Sequence, residues 1–159
     1  MPTHKLDKFD RSILENLQRD GRMTNLELAE RVGLSPSPCL RRLKQLQSAG
    51  VIKAYIAQID REKIGLGFTS FVAVRLKGHG GDEATRFRNA VQGMLEVTAC
   101  YITSGEHDFL LQVVAADLPA YRRFVLERLT KLPEVRDIHS SIVLETVKDD
   151  APLPLRHVG

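Results

Sequence analysis

Apolar residues recur through the first fifty positions with helical spacing. Leu6, Phe9, Ile13, Leu14 and Leu17 fall on one face of a helix. Asp7 is placed to cap its start, and Gly21 to close it after Gln18-Arg19-Asp20. A second, shorter helix starts at Thr24, which forms a capping box with Glu27; Leu26, Leu28, Ala29 and Val32 are its apolar positions, and Gly33 ends it. A third helix starts at Ser37, with Pro38 in the first helical position, where a missing N–H is harmless. Leu40, Leu43 and Leu46 form its expected buried stripe, Cys39 lies at the margin, and Gly50 stands where a C-terminal cap belongs. Val51–Ile59 is rich in β-formers and reads as a strand: a wing, a linker strand or a plain core strand.

The period then changes. Phe68–Leu76 alternates, with Val72, Val74 and Leu76 on one side and Phe71, Ala73 and Arg75 on the other. After a loop at Lys77–Gly81, Asp82 can cap a helix with apolar positions Ala84, Phe87, Val91, Met94 and Leu95. Strands follow at Val97–Thr103 and Phe109–Ala115, then a helix opened by Asp117-Leu118-Pro119 and stopped by Pro133, then a long strand Val135–Val147. Met94-Leu95-Glu96-Val97 and Leu132-Pro133-Glu134-Val135 match at the same helix-to-strand joint. A βαββαβ order with such an echo is the split βαβ, or ferredoxin-like, topology, so the fold class is α+β. Strands apolar on both sides (Phe109, Leu111 and Val113 against Leu110 and Val114) call for a second cover, and a partner subunit's sheet is the simplest. A homodimer through this domain is expected. The expected boundaries are 1–60 for the helical domain with its linker strand, 61–67 for a hinge around Gly65 and Gly67, 68–148 for the sheet domain and 149–159 for a tail broken by Pro152 and Pro154.

Charge sharpens the first half. Among 159 residues, 23 Lys+Arg oppose 20 Asp+Glu, a net of +3. Residues 1–60 carry ten basic and seven acidic side chains, while the remainder balances at thirteen each. Arg31–Ile59 holds five basic residues and no acid, a window that suits a polyanion. The longest stretch free of charged residues, Gly65–Val74, is half a membrane span, and no apolar signal core opens the chain; cytoplasm is the expected location and no membrane partner is expected. Two cysteines make no disulfide framework.

Helices two and three meet across Val32-Gly33-Leu34-Ser35-Pro36, the short Gly-containing turn of a helix-turn-helix. An αα corner shares that spacing, but the third helix also carries Arg41, Arg42, Lys44, Gln45 and Ser48 away from its leucines. Arg reads guanine and phosphate with its planar fork, and Gln reads adenine. Ser35, Ser37 and Pro38 at its N-terminal end offer hydroxyls and backbone N–H groups to phosphate. The expected DNA-contacting set is Ser35, Ser37, Pro38, Arg41, Arg42, Lys44 and Gln45, on double-stranded DNA.

Catalytic signals are weak. The five histidines show no metal spacing, neither cysteine has a CxxC partner, and the glycines at 78, 80 and 81 lack the Lys-Ser/Thr of a phosphate loop. No catalytic residue, metal or cofactor is expected. Ser104–Asp108 suits binding better: Ser104-Gly105 can present N–H groups to a carboxylate, and Glu106 or Asp108 can meet an ammonium, together fitting a free amino acid. A β-turn in which Asp108 caps backbone N–H groups fits equally well.

These strings resemble the Lrp/AsnC family, the leucine-responsive or feast/famine regulators, over nearly the whole chain. The carriers are Leu6-Asp7-x-x-Asp10-x-x-Ile13-Leu14-x-x-Leu17-Gln18-x-Asp20-Gly21-Arg22, then Glu27-Leu28-Ala29-x-x-Val32-Gly33-Leu34-Ser35-Pro36-Ser37-Pro38-Cys39-Leu40-Arg41-Arg42-Leu43, then Ser104-Gly105-x-x-Asp108-Phe109-Leu110-Leu111 and Leu132-Pro133-x-Val135. The recognition-helix string is nearer the leucine-responsive branch. The resemblance implies a winged helix-turn-helix joined to a ligand-sensing α+β domain, in dimers that assemble further, often to octamers. It implies a leucine or other amino-acid effector near Tyr101, Ser104, Gly105, Glu106, His107 and Asp108, with Gly105 and Asp108 on its backbone groups. It makes Cys39 a packed residue rather than a redox sensor. Relatives commonly carry an aromatic near His107, a departure that leaves the effector's identity open and gives His107 a part in pH or side-chain preference. Two other readings stand beside it: a sirohaem-decarboxylase-like enzyme on the same fold, and an architectural DNA-binding protein without an effector.

Overall fold

The computed structural model describes residues 5–78, 81–149 and 151–158. His4, His79 and Gly80 lie outside them. The chain divides into two compact units, residues 1–58 with 148–159, and residues 59–147.

The first unit is built on α1 (Lys8–Arg19), α2 (Asn25–Val32) and α3 (Pro36–Ser48). Asp7 caps α1 in a capping box closed by Asp10, and Thr24 caps α2 in a second one closed by Glu27. Each box satisfies N–H groups that the first helical turn leaves without partners. Gly33 ends α2 at φ 70°, and Leu34 N–H returns to Ala29 C=O, so the turn needs a left-handed residue. A Cβ there meets nothing within 4 Å, so the requirement is one of backbone angle and not of space. After α3, Gly50 N–H bonds Gln47 C=O and Val51 N–H bonds Leu46 C=O, the paired bonds of a Schellman stop. Ile13, Leu28, Ala29, Val32, Cys39 and Leu46 form the core.

Five details depart from the sequence reading; one is Leu40, expected in the buried stripe of α3 but 40% exposed. The cap of α1 is Asp20, in extended conformation, with Gly21 beyond it. Leu26 is 68% exposed. Helix α3 begins two residues earlier than expected, with Ser35 as N-cap and Pro36 in the first turn. Residues 53–60 form no strand, and Ile56 is 87% exposed. Their β-formers have no neighbouring strand within the described residues, and propensity without a pairing partner does not make a sheet.

The end of the chain returns to the first unit. Val158 is buried, its carbonyl accepts from an Arg11 guanidinium N–H at 3.1 Å, and Leu153 exchanges two hydrogen bonds with the Gln18 side chain at 2.6 and 3.3 Å. Residues expected as a separate tail thus brace α1. Removing residues 151–159 is expected to lower the stability of the helical unit by about 1–2 kcal/mol, what remains of these bonds and one buried valine after the entropy lost in ordering the segment. An unchanged denaturation midpoint would show the docking to be inert.

The second unit opens with a 3-10 turn, Glu62–Ile64, and continues as β1 (Phe68–Leu76), α4 (Gly81–Gln92), β2 (Val97–Ile102), β3 (Phe109–Ala115), α5 (Leu118–Glu127) and β4 (Val135–Ile142). The sheet order is β2-β3-β1-β4, all neighbours antiparallel, which is the split βαβ topology. Val72, Val74, Phe109, Leu111 and Val113 share a core with Phe87 and Val91 of α4 and with Tyr121, Phe124 and Val125 of α5. The sequence echo has a structural counterpart. Glu96 before β2 pairs with Arg128 after α5, and Glu134 before β4 pairs with Arg86 of α4, at 2.6 and 2.7 Å. The Arg86 bond holds the Glu134 carboxyl below the usual carboxylate range. Asp82 lies inside α4 and not at its cap, Leu95 is 93% exposed, α5 ends before Pro133 with a 3-10 turn between, and β4 stops five residues short of Val147. Among the described residues no helix is long and apolar enough to cross a membrane.

Candidate functional site

Helix α3 has two faces. Cys39 and Leu46 are fully buried and Leu43 is partly buried on one. Ser37, Leu40, Arg41, Lys44, Gln45 and Ser48 line a shallow concavity on the other. These positions follow the three- and four-residue steps of one helical stripe. Five of the expected DNA-contacting residues (Ser35, Ser37, Arg41, Lys44, Gln45) are exposed. Burial pushes the Cys39 thiol up, as a packed residue requires.

The N-terminal end of α3 is poorer in donors than expected. Prolines at 36 and 38 remove two of its first three N–H groups, leaving that of Ser37, and Cys39 N–H already bonds Ser35 C=O. The Ser35 side chain makes no capping bond to the helix. The donors left at that end are the serine hydroxyls and one backbone N–H.

Arg42 is placed differently from Arg41. Its guanidinium lies 2.9 Å from both the Asp7 and Asp10 carboxylates and 5.3 Å from the Phe9 ring centroid. The Asp10 side chain is nearly buried. Hydrogen bonds from Arg42, that to Asp10 foremost, raise its already high pKa, so it is charged at any working pH. Arg42 locks the cap of α1 to α3. Asn25, which sequence reasoning did not single out, adds a second lock: its side-chain amide donates to Pro36 C=O at 3.0 Å, joining the starts of α2 and α3.

In the second unit, the β2–β3 connection is held to β1. Thr103 closes the turn, its N–H bonding Asp108 C=O and its hydroxyl bonding His107 C=O. Asp108 N–H bonds Val74 C=O, and Asp108 Oδ2 accepts from Leu76 N–H at 2.8 Å. That N–H stands where the β1–β4 register shifts between Arg75 and Leu76, so the carboxylate caps the bulge. Arg75 donates to Glu106 C=O at 2.8 Å and pairs with the Glu106 carboxylate at 3.1 Å. Of the two readings left open by the sequence, Asp108 as a backbone cap is the one the geometry draws. Ser104 and Gly105 form the exposed apex, with Gly105 at φ 118°. Tyr101 is exposed on β2, and the His107 ring lies 6.5 Å from that of His139. Beside the loop, between α4 and β2, a groove of about 610 Å³ is lined by Arg88, Val91, Ile102 and Phe109 among others. No cluster of three or more His, Cys, Asp or Glu could hold a metal among the described residues.

A helix-turn-helix with a cationic outer stripe, carried on one chain with a split βαβ domain, defines a DNA-binding regulator with its own sensing module. Residues 6–53 match the model for winged helix-turn-helix DNA-binding domains, and residues 69–153 match that for the Lrp/AsnC ligand binding domain. The leucine-responsive regulatory protein of Escherichia coli K12 is 39% identical over 155 residues, 98% of this chain and 94% of that protein. The L-methionine complex of a transcriptional regulator from Neisseria meningitidis is 45% identical with a TM-score of 0.92, covering 96% of this chain and 98% of that one. An AsnC family transcriptional regulator from Agrobacterium tumefaciens is 37% identical with a TM-score of 0.90, covering 96% and 99%. The chain belongs to the Lrp/AsnC family of transcriptional regulators, with a DNA-binding helix-turn-helix and an amino-acid-binding domain.

Proposed function

We propose that α3 reads a specific operator through Arg41, Lys44 and Gln45, with Ser35 and Ser37 on phosphates, and that a free amino acid at the β2–β3 connection changes DNA affinity or assembly. The outward stripe of α3 carries this reading. Arg42 leaves the DNA-contacting set, because its partners are Asp7 and Asp10. Regulators as relatives favour a binding protein over an enzyme, acting in the cytoplasm.

For the effector, the backbone N–H groups of the exposed residues Ser104 and Gly105 offer a carboxylate site. The adjoining groove, with apolar Val91, Ile102 and Phe109, favours an apolar side chain such as that of methionine or leucine. The Neisseria relative holding L-methionine supports the same class. Asp108 acts by shaping the loop. A thermal-shift screen of the twenty amino acids, followed by calorimetry, tests this: an apolar amino acid raises the midpoint, and Asp108→Ala, which removes a charge-assisted bond worth about 1.5–3 kcal/mol, lowers both the sheet domain's stability and the response. Silence for all twenty in the wild type would overturn the effector reading.

Self-association is proposed through the sheet face away from the helices. Phe71 and Tyr101, 38% and 56% exposed, share it with Ala73 and Leu110 by strand register. Dimers, or an octamer built from them, are expected in sedimentation; a monomer at micromolar concentration would contradict this.

A further inference from the structure

Leu40 occupies a place its chemistry does not explain through the fold. It belongs to neither the buried core of the helical unit nor its partly buried margin, and it is 40% exposed. Its neighbours on the concavity of α3 are Ser37 one turn back, Arg41 beside it, and Lys44, Gln45 and Ser48 ahead. It is the one apolar side chain in that stripe, and it stands in the first half of the helix. In helix-turn-helix proteins that half approaches the base edges of the major groove. The one apolar group displayed there by a base pair is the C5 methyl of thymine.

Resting on the reading of α3 as the recognition helix, we infer that Leu40 is a specificity-determining residue that selects thymine by covering its C5 methyl. If Arg41 next to it contacts an adjacent base, the two residues together read a step rather than a single pair; if it contacts a phosphate, it positions Leu40 on its pair. An alkyl side chain at this position disfavours cytosine, whose exposed amino group would lose water without gaining a partner. It favours thymine, because a methyl and a leucine both leave water on contact.

Deoxyuridine, which pairs as thymine but lacks the methyl, isolates this contact. The probe is a duplex recovered by in vitro selection with the full-length protein, with each thymine of one half-site replaced in turn by deoxyuridine. At fixed salt, wild-type protein is expected to bind about fourfold more weakly when one particular thymine is replaced, the loss that goes with one buried methyl. Leu40→Ala should bind the thymine and uracil duplexes equally, and Leu40→Met, which keeps an apolar reach, should restore the difference. Wild-type protein indifferent to every replacement, or Leu40→Ala still sensitive to the methyl, overturns the inference. Arg41→Ala and Lys44→Ala, titrated on the same duplexes, separate this from the underlying reading. Weakened binding by both with no uracil effect sinks Leu40 alone, whereas unchanged binding by both sinks the assignment of α3 itself.

Discussion

Replacing Arg42 with alanine is expected to destabilise the helical unit by about 2–3 kcal/mol while leaving the DNA affinity of the folded protein within about twofold. The near-buried Asp10 carboxylate would lose its guanidinium partner, and breaking one side of such a pair costs far more than an exposed ion pair is worth. The Asp7 arm is half exposed and adds less. Arg42→Lys keeps the charge but not the fork that reaches both carboxylates, so it should recover only part of the loss. Chemical denaturation reads the stability, and titration of the folded variant reads the affinity. An unchanged midpoint with a tenfold loss of DNA binding would put Arg42 on DNA after all. Acid provides a second arm. Asp7 is held below the usual carboxylate range, chiefly by the N–H of Asp10 and further by Arg42. A carboxyl depressed in the folded state stabilises above its unfolded pKa, near 4, and that contribution disappears as pH falls through the folded value. Stability of the helical unit should therefore be flat above about pH 5 and decline below pH 4, with a shallower decline in Arg42→Ala.

The opposite phenotype is expected of Arg41 and Lys44. Both are exposed on the outward stripe of α3 proposed to face DNA, and neither has an ion-pair partner among the described residues. Arg41→Ala should cost about tenfold or more in operator affinity, the range for one good base contact, and change sequence preference if that contact is to a base. Lys44→Ala should weaken all sequences alike and reduce the slope of log affinity against log salt by about 0.9 if it neutralises one phosphate. Neither should move the denaturation midpoint by more than about 0.5 kcal/mol, as is usual for surface substitutions. The expected phenotypes of the two neighbours thus divide cleanly: Arg42 holds the helix in place, and Arg41 is proposed to use the place so held.

Local signals in the sequence carried far. The cap at Asp7, the capping box at Thr24, the left-handed stop at Gly33, and the bounds of β1 and β3 depend on residues a few positions apart. The echo of Glu96 and Glu134 was visible too, although its purpose, crossing ion pairs to Arg128 and Arg86, was not. What escaped was set by phase or by distant partners. Leu40, Leu43 and Leu46 recur every three residues, and each such step rotates about 60° away from a fixed face. All three cannot be buried together, and Cys39 takes the inner place that Leu40 gives up. Arg41 and Arg42 are the same residue type about 100° apart around the helix, and the acids that claim Arg42 lie more than thirty positions earlier. Asp108 as a backbone cap was one of two readings the sequence left open, because the β1 bulge that orients Leu76 N–H towards it cannot be seen in a string of letters. The strand expected at 51–59 has the right composition and no partner within the described residues, and β4 ends at Ile142, one residue before Val143 N–H makes its bond to Thr69 C=O near the start of β1.

Coupling between the amino-acid site and the DNA-facing helix is what a regulator of this kind must possess. Fluorescence anisotropy of a labelled, selected duplex, titrated with the full-length protein at fixed salt with and without millimolar L-methionine or L-leucine, measures it directly. A shift of about fivefold or more in apparent affinity, or a change in the cooperativity of binding, is the expected result, and it should disappear in Asp108→Ala while binding without effector remains. Identical isotherms with every one of the twenty amino acids, in a protein that binds its duplex tightly, would contradict an effector-responsive regulator and leave a DNA-binding protein of purely architectural use.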